Sequence, residues 1–178
     1  MLRHWKTLTS TLVTQNPWWS YKLDKFEIPG GVKGEYHYVE TAGSSMIVPV
    51  TTDGKLILVN QFRYLRNRES VEFPCGGVKA GKSYEEMARI ELEEETGFRS
   101  DHIQLVGEFN PFNGVTNEIC KVYIATNLIP VKSRPDATEE FEIVECSPAE
   151  LDEMIRTNKI WDGMTMAGWM LVRDKIDT

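Results

Sequence analysis

The amino-acid sequence predicts an α+β fold for one main domain, preceded by a short strand-rich segment. Three observations predict it. Apolar runs flank an Asp53-Gly54 turn, two helices begin at capping boxes, and the other strands follow one another without regular strand–helix alternation. Runs of strands interrupted by single helices are typical of α+β folds and not of a repeating βαβ order.

The composition is that of a globular protein with a core, since 41% of its 178 residues are hydrophobic. The net charge of −7 argues against nucleic-acid and membrane-surface partners, which require a basic face. No apolar run is long enough for a signal peptide or a membrane span. The cysteines are spaced neither as a disulfide framework nor as a metal clip, which favours a cytoplasmic location; they are Cys75, Cys120 and Cys146.

The N-terminal segment 18–40 predicts two polar strands joined by a turn with the sequence PGGVKG. It contains aromatic residues but few large aliphatic ones, so it cannot form a core alone and should pack on the main domain or on another subunit. We therefore divide the chain into an N-terminal β-rich extension, residues 1–43, and a main domain, residues 44–178. We expect the extension to contribute to a homodimer.

The first elements of the main domain are three predicted strands. The segment 45–63 predicts a hairpin, because Asp53-Gly54 lies between two apolar runs. The segment 70–74 predicts an edge strand, because it has a charge in its middle and a proline at its end.

The helices are predicted from their ends. Ser83 and Glu86 form a capping box for a helix over 84–96, and Gly97 is a left-handed stop. The later elements are strands at 102–110, 118–129 and 141–146, a helix from the Ser147–Glu150 capping box to about residue 158, and an amphipathic helix within 162–176.

The segment from Pro74 to Phe98, PCGGVKAGKSYEEMARIELEEETGF, admits two interpretations. Its first part spells G-x-x-x-x-G-K-S, the phosphate-binding loop of kinases and ATPases. That motif should follow a buried parallel strand, and a second apolar strand should end in an aspartate. Neither is found here, so a phosphate-loop kinase is a remote alternative.

The second part of the segment predicts an acidic helix face. Glu91, Glu94 and Glu95 fall within an arc of about 100° on a helix. Like charges at this spacing repel, and hard divalent cations with oxygen ligands reverse the sign of that interaction. The alternative is a solvated acidic stripe, which is common on surface helices.

The same segment resembles the Nudix box, G-x5-E-x7-R-E-U-x-E-E-x-G-U, in which U is a bulky apolar residue. Lys82 stands at the first glutamate of the box and Ile90 at its arginine, so these two positions depart from the pattern. The match to the phosphate-loop motif then arises only because a lysine, Lys82, stands at the first glutamate position of the Nudix box. The matching positions are Gly76, Glu91, Leu92, Glu94, Glu95, Gly97 and Phe98.

The flanking sequence is similar to the ADP-ribose pyrophosphatase branch of the Nudix superfamily. The resemblance rests on VNQFRY before the box, EFPCGG at its start, and EEFEIVECSPAEL and IWDGMTMAGWML after it. It implies a Nudix fold, a mixed sheet between helices with an N-terminal β-hairpin extension, and dimerisation through that extension. It also implies metal-dependent hydrolysis of the pyrophosphate in a nucleoside diphosphate linked to another moiety, such as ADP-ribose or a related nucleotide sugar.

The resemblance also implies roles for individual residues. Glu91, Glu94, Glu95 and the Gly76 carbonyl would bind Mg²⁺, with Mn²⁺ as a substitute. The general base would be Glu140 or Glu139 in the loop before a late strand, with Glu142 also possible, or Glu91 itself. Arg63 and Arg66 would contact substrate phosphate, and Glu118 matches a position that often carries a glutamate near the metals.

The departures leave an alternative open. Ile90 cannot pair with the helix carboxylates as an arginine would, and Arg89 is about 100° away around the helix. A Nudix-fold module that binds a nucleotide with weak or no hydrolysis is therefore the second hypothesis.

Overall fold

The computed structural model describes residues 2–133 and 140–176. The chain forms two compact units. The first contains the chain up to Gly43 together with Asn110–Ile119, and the second contains Ser44–Phe109 and the chain from Cys120 onward.

The first unit contains an antiparallel sheet with the order β1-β2-β3. Its strands are β1 (Lys6–Gln15), β2 (Ser20–Glu27) and β3 (Lys33–Glu40). Strands β2 and β3 are the predicted hairpin, and their turn includes Gly30 and Gly31 at φ values of 116° and 89° that favour glycine. Strand β1 was missing from the prediction.

The described strands of the second unit form three sheets, with the orders β7-β4-β10-β9, β12-β5-β6 and β11-β8. Strand β10 runs parallel to β4, and the other pairs are antiparallel. The strands are β4 (Ser44–Pro49), β5 (Leu56–Arg63), β6 (Arg68–Glu72), β7 (Cys75–Gly77), β8 (Phe98–Arg99), β9 (His102–Phe109), β10 (Cys120–Thr126), β11 (Ile129–Pro130) and β12 (Glu142–Cys146).

The hairpin predicted over 45–63 is wrong. Both strands exist, but β4 and β5 belong to different sheets, and beside the turn one isolated antiparallel bridge joins Val50, just after β4, to Leu56. All six residues of β4 are buried. A strand buried on both faces is typical of a sheet centre, where it is flanked by other strands instead of its sequence neighbour. The edge position predicted for the next strand is confirmed, since β6 lies at the end of its sheet.

The helices of the second unit lie close to their predicted positions. They are α1 (Tyr84–Thr96), α2 (Pro148–Arg156) and α3 (Gly163–Val172). Both predicted capping boxes are present, at Ser83 with Glu86 and at Ser147 with Glu150. None of the helices in the described ranges is long and apolar enough to cross a membrane.

The core of the second unit surrounds β4. On one side, Ala88 and Leu92 of α1 pack with Ile47 of β4. A larger cluster includes Met46 of β4 and Trp169 of α3. Helix α1 is also tied to β4 by a hydrogen bond in which the Ser45 hydroxyl donates to the Tyr84 carbonyl at 2.6 Å. These contacts fix the orientation of α1 and therefore the direction in which its carboxylates point.

Candidate active site

Helix α1 is fixed at both ends. The Ser83 hydroxyl accepts from the backbone N–H of Glu86 at 3.2 Å, and the Glu86 carboxylate accepts from the Ser83 N–H at 2.8 Å. At the other end, Gly97 has φ 69° and donates its N–H to the Glu93 carbonyl. A helix with defined ends holds its backbone in place, so the acidic residues of its second half start from one defined helix face.

The predicted metal-binding carboxylates of α1 are partly inside the protein. Glu91 is 8% exposed and Glu95 is 6% exposed, while Glu94 is half-buried. A solvated acidic stripe would leave all three in water, because burying an ionised carboxylate is costly unless a partner compensates. The burial of two of them therefore argues against that alternative.

The carboxylate of Glu91 lies against the backbone of Gly76. A Cβ atom placed on Gly76 would be 2.0 Å from Glu91 Oε1 and 2.3 Å from its Cδ. Gly76 lies on β7, opposite Ser45 of β4. The sheet edge and the acidic helix face thus meet at this glycine, which is the residue predicted to bind metal through its carbonyl.

A further buried carboxylate, Glu72, lies on β6. Glu72 is 4% exposed and accepts from Arg63, whose Nε lies 2.8 Å from Glu72 Oε1 and whose second N–H contacts Oε2. The pKa of the Arg63 guanidinium is raised, chiefly by this hydrogen bond, with further contributions from the charges of Asp162 and Glu95. Arg63, predicted to contact substrate, is therefore held by Glu72 and lies within electrostatic reach of α1.

Sequence reasoning used Glu72 only as a sign of an edge strand and assigned it no role. The available signal was an acidic residue between apolar residues of a strand, where charge is disfavoured unless it is paired.

Cys75 was also given no role. Its thiol pKa is raised well above the ordinary value, first by a hydrogen bond with Cys120 and then by burial, and the charges of Glu95 and Glu91 add to the rise. A neutral thiol therefore borders the carboxylates.

The positively charged residues near the motif are paired elsewhere. Lys82 lies 3.5 Å from Glu86, one helical turn further along the chain. Arg89 donates to the Ser100 carbonyl at 2.7 Å and to Glu85 at 2.8 Å. The Nudix box has an arginine where this chain has Ile90. Arg89 does not replace it, as expected from the position of Arg89 on the helix. Ile90 itself is half-buried.

The remaining predicted residues lie in different parts of the chain. Arg66 is exposed at the end of a short 3-10 helix, Tyr64–Arg66. Glu140 is exposed, whereas Glu139 lies outside the described residues. Glu142 lies on β12 and accepts from the Asn60 side chain at 3.1 Å. Glu118 is half-buried in the segment Asn110–Ile119 of the first unit.

The predicted metal ligands suit a divalent metal in their chemistry but are not preassembled within the described residues. As the side chains stand, no three His, Cys, Asp or Glu side chains within 2–133 and 140–176 are gathered as a metal site. The chemistry nevertheless fits, because Glu91, Glu94 and Glu95 offer oxygen ligands from one helix face. Gly76 has no side chain of its own, so its backbone can approach the Glu91 carboxylate and a bound ion closely.

The phosphate-loop alternative does not fit this geometry. The glycine-rich loop follows β7, which pairs antiparallel with β4, and β6 before it is an edge strand paired antiparallel with β5. A phosphate-binding loop follows a central parallel strand. The loop therefore lacks the central parallel strand that this motif requires, and the match to G-x-x-x-x-G-K-S is incidental.

Comparison with known proteins decides the family. The model of the NUDIX domain matches residues 40–166, which is more than half of the chain. The chain belongs to the Nudix family. The predicted Nudix membership and the prediction of a Nudix-type pyrophosphatase are confirmed, and a requirement for a divalent metal accords with this family.

Several curated proteins are similar to this Nudix chain. An ADP-ribose pyrophosphatase of Bacillus subtilis (strain 168) is 30% identical over 145 residues, which cover 80% of this chain and 78% of that protein. A methanol dehydrogenase activator of Bacillus methanolicus is 28% identical over 82% of this chain and 80% of that protein. An ADP-ribose pyrophosphatase of Mycobacterium tuberculosis (strain ATCC 25618 / H37Rv) is 29% identical over 76% of this chain and 65% of that protein.

A solved structure confirms the predicted fold. The crystal structure of an ADP compounds hydrolase superposes with a TM-score of 0.84 and covers 98% of this chain and 95% of that chain. At 21% sequence identity, the likeness establishes the Nudix fold alone.

Proposed function

We propose that this Nudix protein hydrolyses the pyrophosphate bond of ADP-ribose or of a related nucleotide sugar. The observation that carries the proposal is the burial of Glu91 and Glu95 on the box helix, with Glu91 seated on Gly76. The substrate class is supported by similar proteins named ADP-ribose pyrophosphatase, one of them 30% identical. Water would attack one phosphorus, so that ADP-ribose gives AMP and ribose 5-phosphate.

The residues that would hold the metal are Glu91, Glu94, Glu95 and the carbonyl of Gly76. We propose Mg²⁺ as the metal and Mn²⁺ as a substitute, because both accept oxygen ligands. When bound, the metal neutralises pyrophosphate charge and lowers the pKa of a water molecule. The protein contributes a carboxylate face whose direction is fixed by the capped helix and by the packing of α1 on β4.

Arg63 would bind and orient a substrate phosphate. Its side chain is 46% exposed, and Glu72 fixes two of its N–H groups, so the remaining guanidinium donors can reach a ligand. Because Glu72 is buried, it restricts the rotamers of Arg63 and reduces the entropy lost when substrate binds. Arg66, exposed three residues further along, is proposed to assist.

The proton of the attacking water would go to a glutamate. Glu140 is our first choice, with Glu139 next, because these residues precede β12 in the loop expected to carry the base. Glu91 is the third choice, since it is adjacent to the proposed metal. A base must lie within hydrogen-bond reach of the water, directly or through one other water.

The protein is further proposed to act as a cytoplasmic homodimer, with the N-terminal extension, residues 1–43, at the interface and the hydrolase activity in residues 44–178. The sheet of the first unit supports this assembly, since it exposes apolar residues such as Leu12 and Val13 at 50% and 51%. The net charge of −7 supports a small-molecule nucleotide substrate over nucleic acid.

The proposal is tested with a panel of dinucleotides and nucleotide sugars, each assayed with Mg²⁺, with Mn²⁺ and with excess chelator. We expect AMP from ADP-ribose with either metal and none with chelator. Glu95→Gln is the inactive control. Tight binding of ADP-ribose without turnover would instead support the nucleotide-binding module suggested by Lys82 and Ile90. Full hydrolysis in excess chelator would exclude the metal-dependent mechanism.

A further inference from the structure

Strands β5 and β6 place two arginines directly opposite each other. Their antiparallel register pairs Arg63 with Arg68, and a tight connection joins these residues. It consists of the 3-10 helix Tyr64–Arg66 and of Asn67, which has φ 48° and donates its N–H to the Tyr64 carbonyl at 3.1 Å. Opposing residues of an antiparallel pair lie on the same face, with Cβ atoms about 5 Å apart. The two guanidinium groups therefore start from one place on the sheet.

Each of the two arginines has its own support. Glu72 holds Arg63, and it lies on the same face, because its partner Val59 is four residues from Arg63 along β5. Arg68 is supported by an uncharged ring instead, since its Cζ lies 4.4 Å from the centre of the Trp161 ring. Like charges directly opposite each other on a sheet are destabilising, so this pair is held together at a cost.

The contact between Arg68 and Trp161 leaves the guanidinium suited to a ligand. The indole N–H of Trp161 donates to the Glu69 carbonyl at 3.1 Å, which fixes the ring against β6. A cation–π contact uses the flat face of the guanidinium, whereas its five N–H donors lie in the plane. Arg68 is exposed, so these donors lie at the protein surface beside Arg63.

The start of α3 acts on both arginines. Trp161 precedes Asp162, whose carboxylate accepts from the Thr165 N–H at 2.7 Å and caps the helix. The Thr165 hydroxyl accepts from the backbone N–H of the residue after Glu72 at 3.2 Å, which ties the start of α3 to the end of β6. The charge of Asp162 adds to the rise that Glu72 causes in the pKa of the Arg63 guanidinium.

Two adjacent guanidinium groups match the chemistry of a pyrophosphate. The planar donors of arginine bind phosphate oxygens in pairs, and they do so more strongly than neutral donors. A pyrophosphate carries two phosphate groups side by side, and an anion near both arginines would remove their mutual repulsion. The chain as a whole has a net charge of −7, so binding such an anion requires a local group of cations.

We propose that Arg68 is a further substrate-binding residue, which contacts the pyrophosphate together with Arg63, and that Trp161 is its positioning residue. This inference rests on the proposed function, which it deepens by adding a second cation to the pyrophosphate site. The ligand class that it names is a pyrophosphate flanked by any group.

Binding without turnover tests the role of Arg68. The probe is an ADP-ribose analogue with a methylene group between its phosphorus atoms, titrated by calorimetry with Mg²⁺. Arg68→Ala should raise its dissociation constant about tenfold or more, the scale of a hydrogen bond to a charged group. Arg68→Gln, which keeps most of the stem, should do the same. Arg156→Ala is the matched control, since it also removes one positive charge from a side chain that is 75% exposed.

A double-mutant cycle tests the positioning role of Trp161. Trp161→Leu should raise the dissociation constant of the analogue by a smaller factor than Arg68→Ala, and Trp161→Phe, which keeps an aromatic face, should restore most of the affinity. In the Arg68→Ala background, Trp161→Leu should cause no further rise. Independent effects of the two substitutions would overturn the positioning role.

Inorganic pyrophosphate, titrated in the same way, separates this inference from the proposed function. Its dissociation constant should also rise about tenfold in Arg68→Ala. Binding of pyrophosphate through Arg68 without hydrolysis of ADP-ribose by the wild type would reject the proposed function and leave this site standing.

Three results would overturn the site itself. They are a wild type that binds neither probe, unchanged dissociation constants of both probes in Arg68→Ala, and an equal rise in Arg156→Ala. Hydrolysis of ADP-ribose by the wild type would still support the proposed function in each case.

Discussion

The carboxylate of Glu91 occupies the space that a side chain at position 76 would need. A Cβ on Gly76 would be 2.0 Å from Glu91 Oε1 and 2.8 Å from Oε2. The two residues are fifteen positions apart and lie on different elements, β7 and α1. A larger residue at position 76 would therefore displace the Glu91 carboxylate, and it would also hinder the backbone approach that metal binding would need.

Gly76→Ala should impair catalysis, because the added methyl group must displace the Glu91 carboxylate. We expect turnover to fall by roughly 10- to 100-fold, the scale of a misplacement of about 1 Å in an active site. Gly77→Ala is the matched control, since nothing lies within 4 Å of a Cβ at that position. Steady-state kinetics of the two variants measure the difference, and equal turnover would contradict the role given to Gly76.

Lys82→Ala should leave most of the activity. Lys82 contacts Glu86 on the exposed start of α1, and both side chains are about half exposed, at 45% and 51%. Such surface ion pairs contribute about 0–1 kcal/mol. In a phosphate-loop enzyme, loss of this lysine would be crippling. Kinetics together with circular dichroism measure the effect, and a collapse of activity in a folded variant would reinstate that mechanism.

The sequence predicts the local parts of this structure well. The limits of α1 follow from Ser83, Glu86 and Gly97, because each acts on the backbone within one turn. The acidic face then follows from helical periodicity. Its burial could not be predicted, because it depends on β7, which lies near α1 only through its pairing with β4.

Pairing between strands that are distant in the sequence explains the other differences between the predicted and the observed structure. Asp53-Gly54 is a good turn signal, but β4 pairs with β10 and β7, which are distant in the sequence, instead of with β5. The contact between Arg63 and Glu72 depends on the register of β5 and β6. Strand β1 gave no alternating apolar pattern, and its threonines and Val13 were the only sign of strand propensity.

Cys146 should make the protein less stable at alkaline pH. Burial raises the pKa of its thiol from 9.0 to about 11. Between these values the unfolded state loses the proton first, so unfolding becomes more favourable as pH rises, and the contribution is fully present only below pH 9. The slope approaches 1.4 kcal/mol per pH unit. Denaturant unfolding at pH 8 and 10.5 should show a smaller loss for Cys146→Val than for the wild type.

Glu95→Gln should weaken metal binding and slow turnover together. The substitution keeps the shape of a side chain that is 6% exposed but removes its charge. We expect a rate loss on the order of 10²–10⁴, the scale for a key catalytic group. Exposed Glu93 on the same helix is the matched control, and Glu93→Gln should be close to the wild type.

The metal dependence of Glu95→Gln is measured by calorimetric titration with Mn²⁺ in the absence of substrate, in addition to kinetics. Near-normal turnover and affinity in Glu95→Gln would mean that the buried carboxylate face does not bind the metal. That outcome would remove the central support of the proposed hydrolysis.

Glu140→Gln should slow turnover by a similar factor, on the order of 10²–10⁴, while leaving the Mn²⁺ affinity unchanged. The reason is that a base contacts the water and not the ion, so rate and metal affinity separate in this variant but fall together in Glu95→Gln. Glu142→Gln is the comparison within the same segment, because the Asn60 side chain already holds Glu142. Near-normal turnover in Glu140→Gln would move the base to Glu139, Glu142 or Glu91. The same pair of measurements would identify Glu139 or Glu142 by a loss of rate without a loss of metal affinity, whereas Glu91→Gln, at a proposed metal ligand, should lose both.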